Sequence, residues 1–325
     1  MKKTLLALAV MTAAGSVNAI ELYNNEGVTV DMKGDVEVRY KKGTAKDSDL
    51  VQEIDDADFG FDTRYAVNED LQVGAYLEFS GDNKDRASGD TSVGNVYMAF
   101  YSNSIGSIKF GKLDTQMDDA GVGSDYLFGV QSFFADAAFG GEEAVRYDLD
   151  KGNFYVGLGI IQDQHNAQSI GENGSYFDAK AGYRVADFDF TAFYADAELR
   201  GTKTVNDVVV TLNQDESIFA LEGRYAGIAD VNLEVGYYAV DAKEVATGAK
   251  DSSDTIALAA DYTMGKVTFA GGYSMTDRKN SEDQNDWFLN AGYGIAPNTT
   301  AYVEFGGNDK DDSEVGYGMG LKASF

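Results

Sequence analysis

The 325-residue sequence has no cysteine, one proline, one histidine and one tryptophan. Without cysteine no disulfide can staple the chain, so its fold rests on hydrogen bonds and burial. The single histidine, His165 in the polar run HNAQS, leaves no zinc site of the common ligand types. It also leaves no histidine-centred pair of the kind hydrolases use as a general base. No motif calls for a cofactor. Basic residues are scarce, 26 Lys and Arg against 54 Asp and Glu, for a formal net charge of −28. That balance argues against nucleic acid as a partner, because binding it needs a basic surface. After the first twenty residues no stretch approaches the roughly 20 apolar residues of a spanning helix.

The chain is rich in glycine (37), tyrosine (20) and phenylalanine (19). Few prolines and many β-formers suit long paired strands. A period of two recurs from end to end. Val28, Val30, Met32, Val36, Val38 and Tyr40 share one face, against Thr29, Asp31, Lys33, Asp35, Glu37 and Arg39. Phe59, Phe61 and Tyr65 oppose Asp58, Asp62 and Arg64. Similar rows follow through Phe188–Tyr194, Ile256–Met264 and Val267–Met275, and the last is EVGYGMGLKASF, ending on Phe325. In a soluble sandwich such apolar rows face a second sheet. In an outer-membrane barrel they face lipid, and the small or polar row faces water.

Two features favour the barrel. Short connectors, such as those at 68–70, 150–153 and 264–266, alternate with long polar ones near 41–54, 81–90, 162–175, 197–216, 241–253, 277–285 and 307–313. Short turns on one rim and long loops on the other are the barrel pattern. The chain also finishes in mid-strand on Phe325, which a closed sheet permits, since its last strand pairs with its first. The expected fold is an all-β transmembrane antiparallel barrel of about sixteen strands, one domain over 20–325. Residues 1–19, with Lys2, Lys3, the apolar run 5–10 and Val17-Asn18-Ala19, read as a cleaved signal peptide.

One connector breaks the rhythm. The stretch 114–141, DTQMDDAGVGSDYLFGVQSFFADAAFGG, has no period of two. It holds Asp114, Asp118, Asp119, Asp125 and Asp136, with Glu142 just beyond, and four phenylalanines. Folded into the lumen, it packs rings on the inner wall and turns acids to the pore. As an external loop, it keeps a hydrophobic cluster of its own.

GSIKFGK (106–112), AAFGG (137–141), the opening ELYNNEG (21–27) and the terminal Phe325 resemble, in this order and spacing, the Gram-negative general-diffusion porins. The resemblance implies a homotrimer of sixteen-stranded barrels in the bacterial outer membrane, among lipopolysaccharides. It further implies a third loop that narrows each pore, and a terminal Phe325 read by the barrel-assembly machinery. Loop acids would face a basic ladder on the wall. Lys112 sits at the family's strand-five arginine, while Ala138 replaces its loop glutamate and Asp136 is the nearest stand-in. Asp58 stands where a ladder arginine is common, and Gly94 or Asn95 replaces another. The basic side is thus thin: Lys112 with Arg39, Arg64 or Arg146.

The expected function is passive diffusion of ions and small hydrophilic solutes, with cations preferred, because inward Glu37, Asp58 and Asp62 make the lumen acidic. A substrate-specific channel, for sugars as an example, would need a series of inward aromatics, and none is evident from the pattern. An adhesive or receptor role for the acidic loops is the further alternative.

Overall fold

The computed structural model describes residues 19–81, 92–166, 168–205 and 208–325. Apart from Ala19 and Gly81, the expected signal peptide and the expected connector at 81–90 lie outside the described residues. The first strands are β1 (Ile20–Asn25), β2 (Val28–Lys42), β3 (Leu50–Ala66), β4 (Leu71–Ser80), β5 (Ser92–Ser102) and β6 (Gly106–Asp114). Next come β7 (Gly140–Asp150), β8 (Phe154–Gln162), β9 (Ser175–Val185), β10 (Phe188–Leu199) and the small hairpin β11 (Thr202–Val205) and β12 (Val208–Thr211). The chain continues with β13 (Gln214–Ile228), β14 (Val231–Glu244), β15 (Lys250–Met264) and β16 (Val267–Arg278). It closes with β17 (Gln284–Ala296), β18 (Thr299–Asn308) and β19 (Gly316–Ser324).

Strands β2 to β10 pair antiparallel in chain order, β10 pairs with β13, and β13 to β19 again pair in order. The ring closes where β19 pairs with β2, from Tyr317↔Lys42 to Ser324↔Asp35. Strand β1 pairs with the other half of the same edge of β2, from Ile20↔Met32 to Asn25↔Val28. Seventeen strands therefore fill sixteen positions, because β1 and β19 lie end to end in one. Between them Phe325 exchanges two backbone hydrogen bonds of 2.8 Å with Gly34. Among the described residues the ring is thus closed, as a sheet in lipid requires, with short β1 bonded along its β2 side.

The faces are inverted relative to a soluble protein. Leu289 is 58% exposed and Phe305 49%, while Glu304, between inward neighbours on β18, is 0% exposed. Apolar rows thus form the outside and charged rows the inside, which excludes the sandwich. Among the described residues, the eight short turns that join neighbouring barrel strands lie on one rim, with Pro297 in the β17–β18 turn, where its missing N–H costs no ladder bond.

Several connectors are shorter than the alternation predicts. Strand β3 begins at Leu50; a bulge at its Asp55, left unpaired between Glu37↔Asp56 and Val38↔Ile54, shifts the period of two and hides the first residues of the strand. Across 241–253 the β14–β15 ladder continues through Asp241↔Ser252 and Lys243↔Lys250, where both faces are polar and the apolar signal is lost. The 197–216 connector contains β11 and β12.

Candidate functional site: segment 115–139 and the charged inner wall

Segment 115–139 joins β6 to β7. Its ends are drawn together by Thr115, whose N–H and Oγ1 both donate to the Phe139 carbonyl at 2.7 Å. A single 3-10 turn, Gln116–Asp119, follows, and the rest is irregular. Irregular backbone has no ladder partners of its own, so its N–H groups must find acceptors elsewhere. Here the acceptors are wall carboxylates. The Met117 N–H donates to Asp178 Oδ2 at 2.7 Å, Gly121 to Glu222 Oε1 at 2.5 Å, and Gly123 to Glu234 Oε2 at 3.0 Å. Glu304 receives three in a row: Tyr126 at 2.6 Å, Leu127 at 3.1 Å and Phe128 at 2.7 Å. On the return path Asp136 and Ala137 donate to Glu216 at 2.9 and 3.0 Å. These acids sit on β9, β13, β14 and β18, all on the face opposite the apolar rows.

Side chains reinforce the grip. The Tyr126 ring stacks on Tyr302 with centroids 4.1 Å apart, and Phe133 meets Tyr238 edge-on at 5.0 Å. Phe128 seats on Gly306 and Gly316, where an added Cβ would come within 2.5 Å of it. The glycines between the apolar residues of the last strand are therefore sockets. Lys41 donates to the Leu127 carbonyl at 2.8 Å, and Arg224 to that of Gly121 at 2.6 Å.

The segment's acids fall into different environments. Asp119 pairs with Arg146 at 2.5 Å and with Lys180. Arg146 also holds Asp148 at 3.0 Å, with Lys109 3.7 Å from the same carboxylate. Asp136 pairs with Lys203 and accepts from Gln214 at 2.8 Å. Asp118 is in no ion pair among the described residues, although the Arg146 charge acts on it from a distance. Burial, then the charges of Asp114 and Asp119, pushes its pKa up to about 6. Burial, then the Glu304 charge, also raises that of Asp125.

A second charged region lines β2, β3 and β19. Asp62 is held by Lys33 at 3.0 Å and Arg64 at 2.8 Å. Arg39 pairs with Glu53 at 3.1 Å and with Asp55. Lys322 lies 3.1 Å from Asp35, 3.5 Å from Glu37 and 3.8 Å from Asp56. Glu37 also accepts from the Tyr302 hydroxyl. Asp58 Oδ1 is buried with no hydrogen-bond partner. Such a surface supplies fixed charge around a path through a closed sheet, the arrangement by which a pore sorts ions.

A family model described as Gram-negative porin matches residues 4–313. The chain belongs to the Gram-negative porin family. It is 33% identical to porin-like protein H of Photobacterium profundum and 30% identical to a major outer membrane protein of Pasteurella multocida, each alignment covering all of both chains. Among solved structures, a loop L8 deletion mutant of the Vibrio cholerae outer membrane protein OmpT is similar at TM-score 0.80 and 23% identity. That match covers 92% of this chain and all of the other. The trimer form of OmpT matches at TM-score 0.74 and 22% identity, and an anion-selective porin from Comamonas acidovorans at 0.73 and 17%. Each covers 92% of this chain and all of the other. The protein is an outer-membrane porin channel, and the relatives it matches are channels rather than enzymes.

In this porin Arg39, Glu37, Arg64, Asp58 and Asp62 share the inner wall of β2 and β3, as the alternation indicates. Lys112 is placed elsewhere. It pairs with Val96, on the same face as the exposed Phe110, and donates to the Val93 carbonyl at 2.6 Å. Three residues from Lys109, which faces Asp148, it has the opposite parity by plain alternation; the register shift here, between Gly111↔Ala144 and Leu113↔Gly141, puts its extra residue on β7. Asp114 and Glu142 are exposed at the two ends of the segment. His165 contacts Glu143 and is largely exposed. Inward tyrosines are more numerous than the pattern indicates, but the Tyr101 and Tyr155 rings lie under the guanidinium groups of Arg64 and Arg184, at 4.1 and 4.2 Å. Sequence reasoning missed Asp178, Glu216, Glu222, Glu234 and Glu304 as anchors, and Lys109 and Lys180 as wall cations. Their inward parity was readable; their partners were not.

Proposed function

We propose that segment 115–139 is folded into the lumen as the pore constriction, and that the porin passes ions and small hydrophilic solutes with a preference for cations. The observation that carries the preference is the surplus of acid on the β2–β3–β19 wall. Asp35, Glu37 and Asp56 crowd around the single ammonium of Lys322, and Asp58 stands opposite Asp35 in the β2–β3 register. Low-dielectric walls focus that field and concentrate counter-ions. Of the anchors, Glu222 and Glu234 contribute less, because Arg224 lies 2.9 and 3.7 Å from their carboxylates. The likeness to an anion-selective porin concerns the fold, so selectivity has to come from these residues. The assembly we propose is a homotrimer set among lipopolysaccharides, with residues 1–19 removed on export and Phe325 presented to the barrel-assembly machinery.

The test is the reversal potential of purified, refolded protein in a planar bilayer under a KCl gradient. A shift to the cation side that shrinks at high salt supports the reading. A zero or anion-side shift overturns the cation preference, and no conductance at all overturns the open pore.

A further inference from the structure

Among the described residues every arginine but one is in an ion pair: Arg39, Arg64, Arg146, Arg184, Arg200 and Arg224 each hold a carboxylate. Arg278, at the end of β16, holds none. Its guanidinium lies flat on the Phe134 ring of segment 115–139, 3.5 Å from the centroid. One NH2 group donates to Gln284 Oε1 at 2.8 Å, and Nε is buried without a partner. Gln284 is the reason the pair does not form. Its amide nitrogen donates to both oxygens of Asp286, at 2.8 and 2.9 Å, so a neutral amide stands between the arginine and that acid.

Arg278 opens onto a cavity of about 230 Å³ lined also by Phe134, Asp136, Asp251, Ser253 and Ser281. The cavity lies between the returning arm of the segment and the inner wall at the rim of long connections, which in an outer-membrane barrel is the external mouth. An arginine fork presented without a carboxylate is a recognition group for one. The acids beside it penalise a plain anion but receive an ammonium.

We propose that this cavity is a subsite for small zwitterionic solutes carrying both an ammonium and a carboxylate, the chemistry of free amino acids. The carboxylate meets Arg278, and the ammonium faces Asp251, since Asp136 is already held by Lys203 and Gln214. The proposal rests on the channel reading above and adds a solute class to it. Solutes arriving from outside would be oriented here before they reach the narrower path.

The test titrates L-alanine against open-channel KCl conductance in a planar bilayer, with propionate, propylammonium and glycerol at matched concentration. Alanine should reduce the current saturably, and the three analogues should not. In Arg278→Gln the half-blocking concentration should rise about tenfold, as loss of a charge-assisted bond implies. Conductance and reversal potential without solute, measured in the same bilayers, test the channel itself. A channel that conducts but shows no saturable alanine block overturns the subsite. So does equal block by propionate, or block unchanged in Arg278→Gln.

Discussion

Glu304 is where the attachment of segment 115–139 can be tested most directly. Its carboxylate accepts four hydrogen bonds: Tyr126 N–H and Asn290 Nδ2 at Oε2, and Leu127 and Phe128 N–H at Oε1. Glu304→Gln keeps the shape but leaves one acceptor oxygen. The new NH2 then points at two N–H donors and can accept from neither. Two bonds to a charged acceptor are lost, each worth about 1.5–3 kcal/mol. Water in the lumen re-solvates part of the freed backbone, so a net loss of about 3 kcal/mol is the working figure. That corresponds to roughly a hundredfold rise in local opening, at 1.4 kcal/mol per tenfold. Hydrogen–deuterium exchange should therefore speed up about a hundredfold at residues 126–128 while the β17–β18 ladder keeps its protection. Single-channel traces should become noisier. Unchanged exchange at 126–128 would refute the claim that this carboxylate fixes the segment.

Two further outcomes follow from the geometry. Asp118 is charged above about pH 6 and neutral below it, so cation preference should fall as pH drops through about 6. The step should vanish in Asp118→Asn, and a reversal-potential series from pH 8 to pH 5 reads it. Deleting Phe325 removes both backbone bonds to Gly34 at the closure point, a cost of roughly 2 kcal/mol. The folded fraction, scored by heat-modifiable mobility on gels, should drop severalfold, and equal assembly would place the closure elsewhere.

The barrel was legible because lipid and water impose opposite demands on alternate residues, and that contrast is written residue by residue. Where the contrast fades, the reading faded too. Asp241↔Ser252 continues a ladder with no apolar face, and the Asp55 and Gly111 bulges shift parity without a compositional mark. Lys112 was taken as a wall cation from its position in the family resemblance, whereas its alternation with the outward Phe110 puts it on the outer face. The segment 115–139 stood out by its phenylalanines, and the inward parity of Glu222 and Glu304 was visible. That each would be matched to particular N–H groups more than 100 residues away depends on the closed ring, which no local pattern encodes.

The wall takes hold of segment 115–139 largely by its main chain. Met117, Gly121, Gly123, Tyr126, Leu127, Phe128, Asp136 and Ala137 all contribute N–H groups, which any residue except proline supplies. The path of this stretch is thus largely independent of the side chains it carries between its ring contacts. Residues such as Asp118, Ser124 and Gln131 can be exchanged for other sizes and charges with the strand of backbone still in place. The barrel is, in effect, a fixed frame with an interchangeable insert, and under the constriction proposed above a change of filter need not be a change of fold.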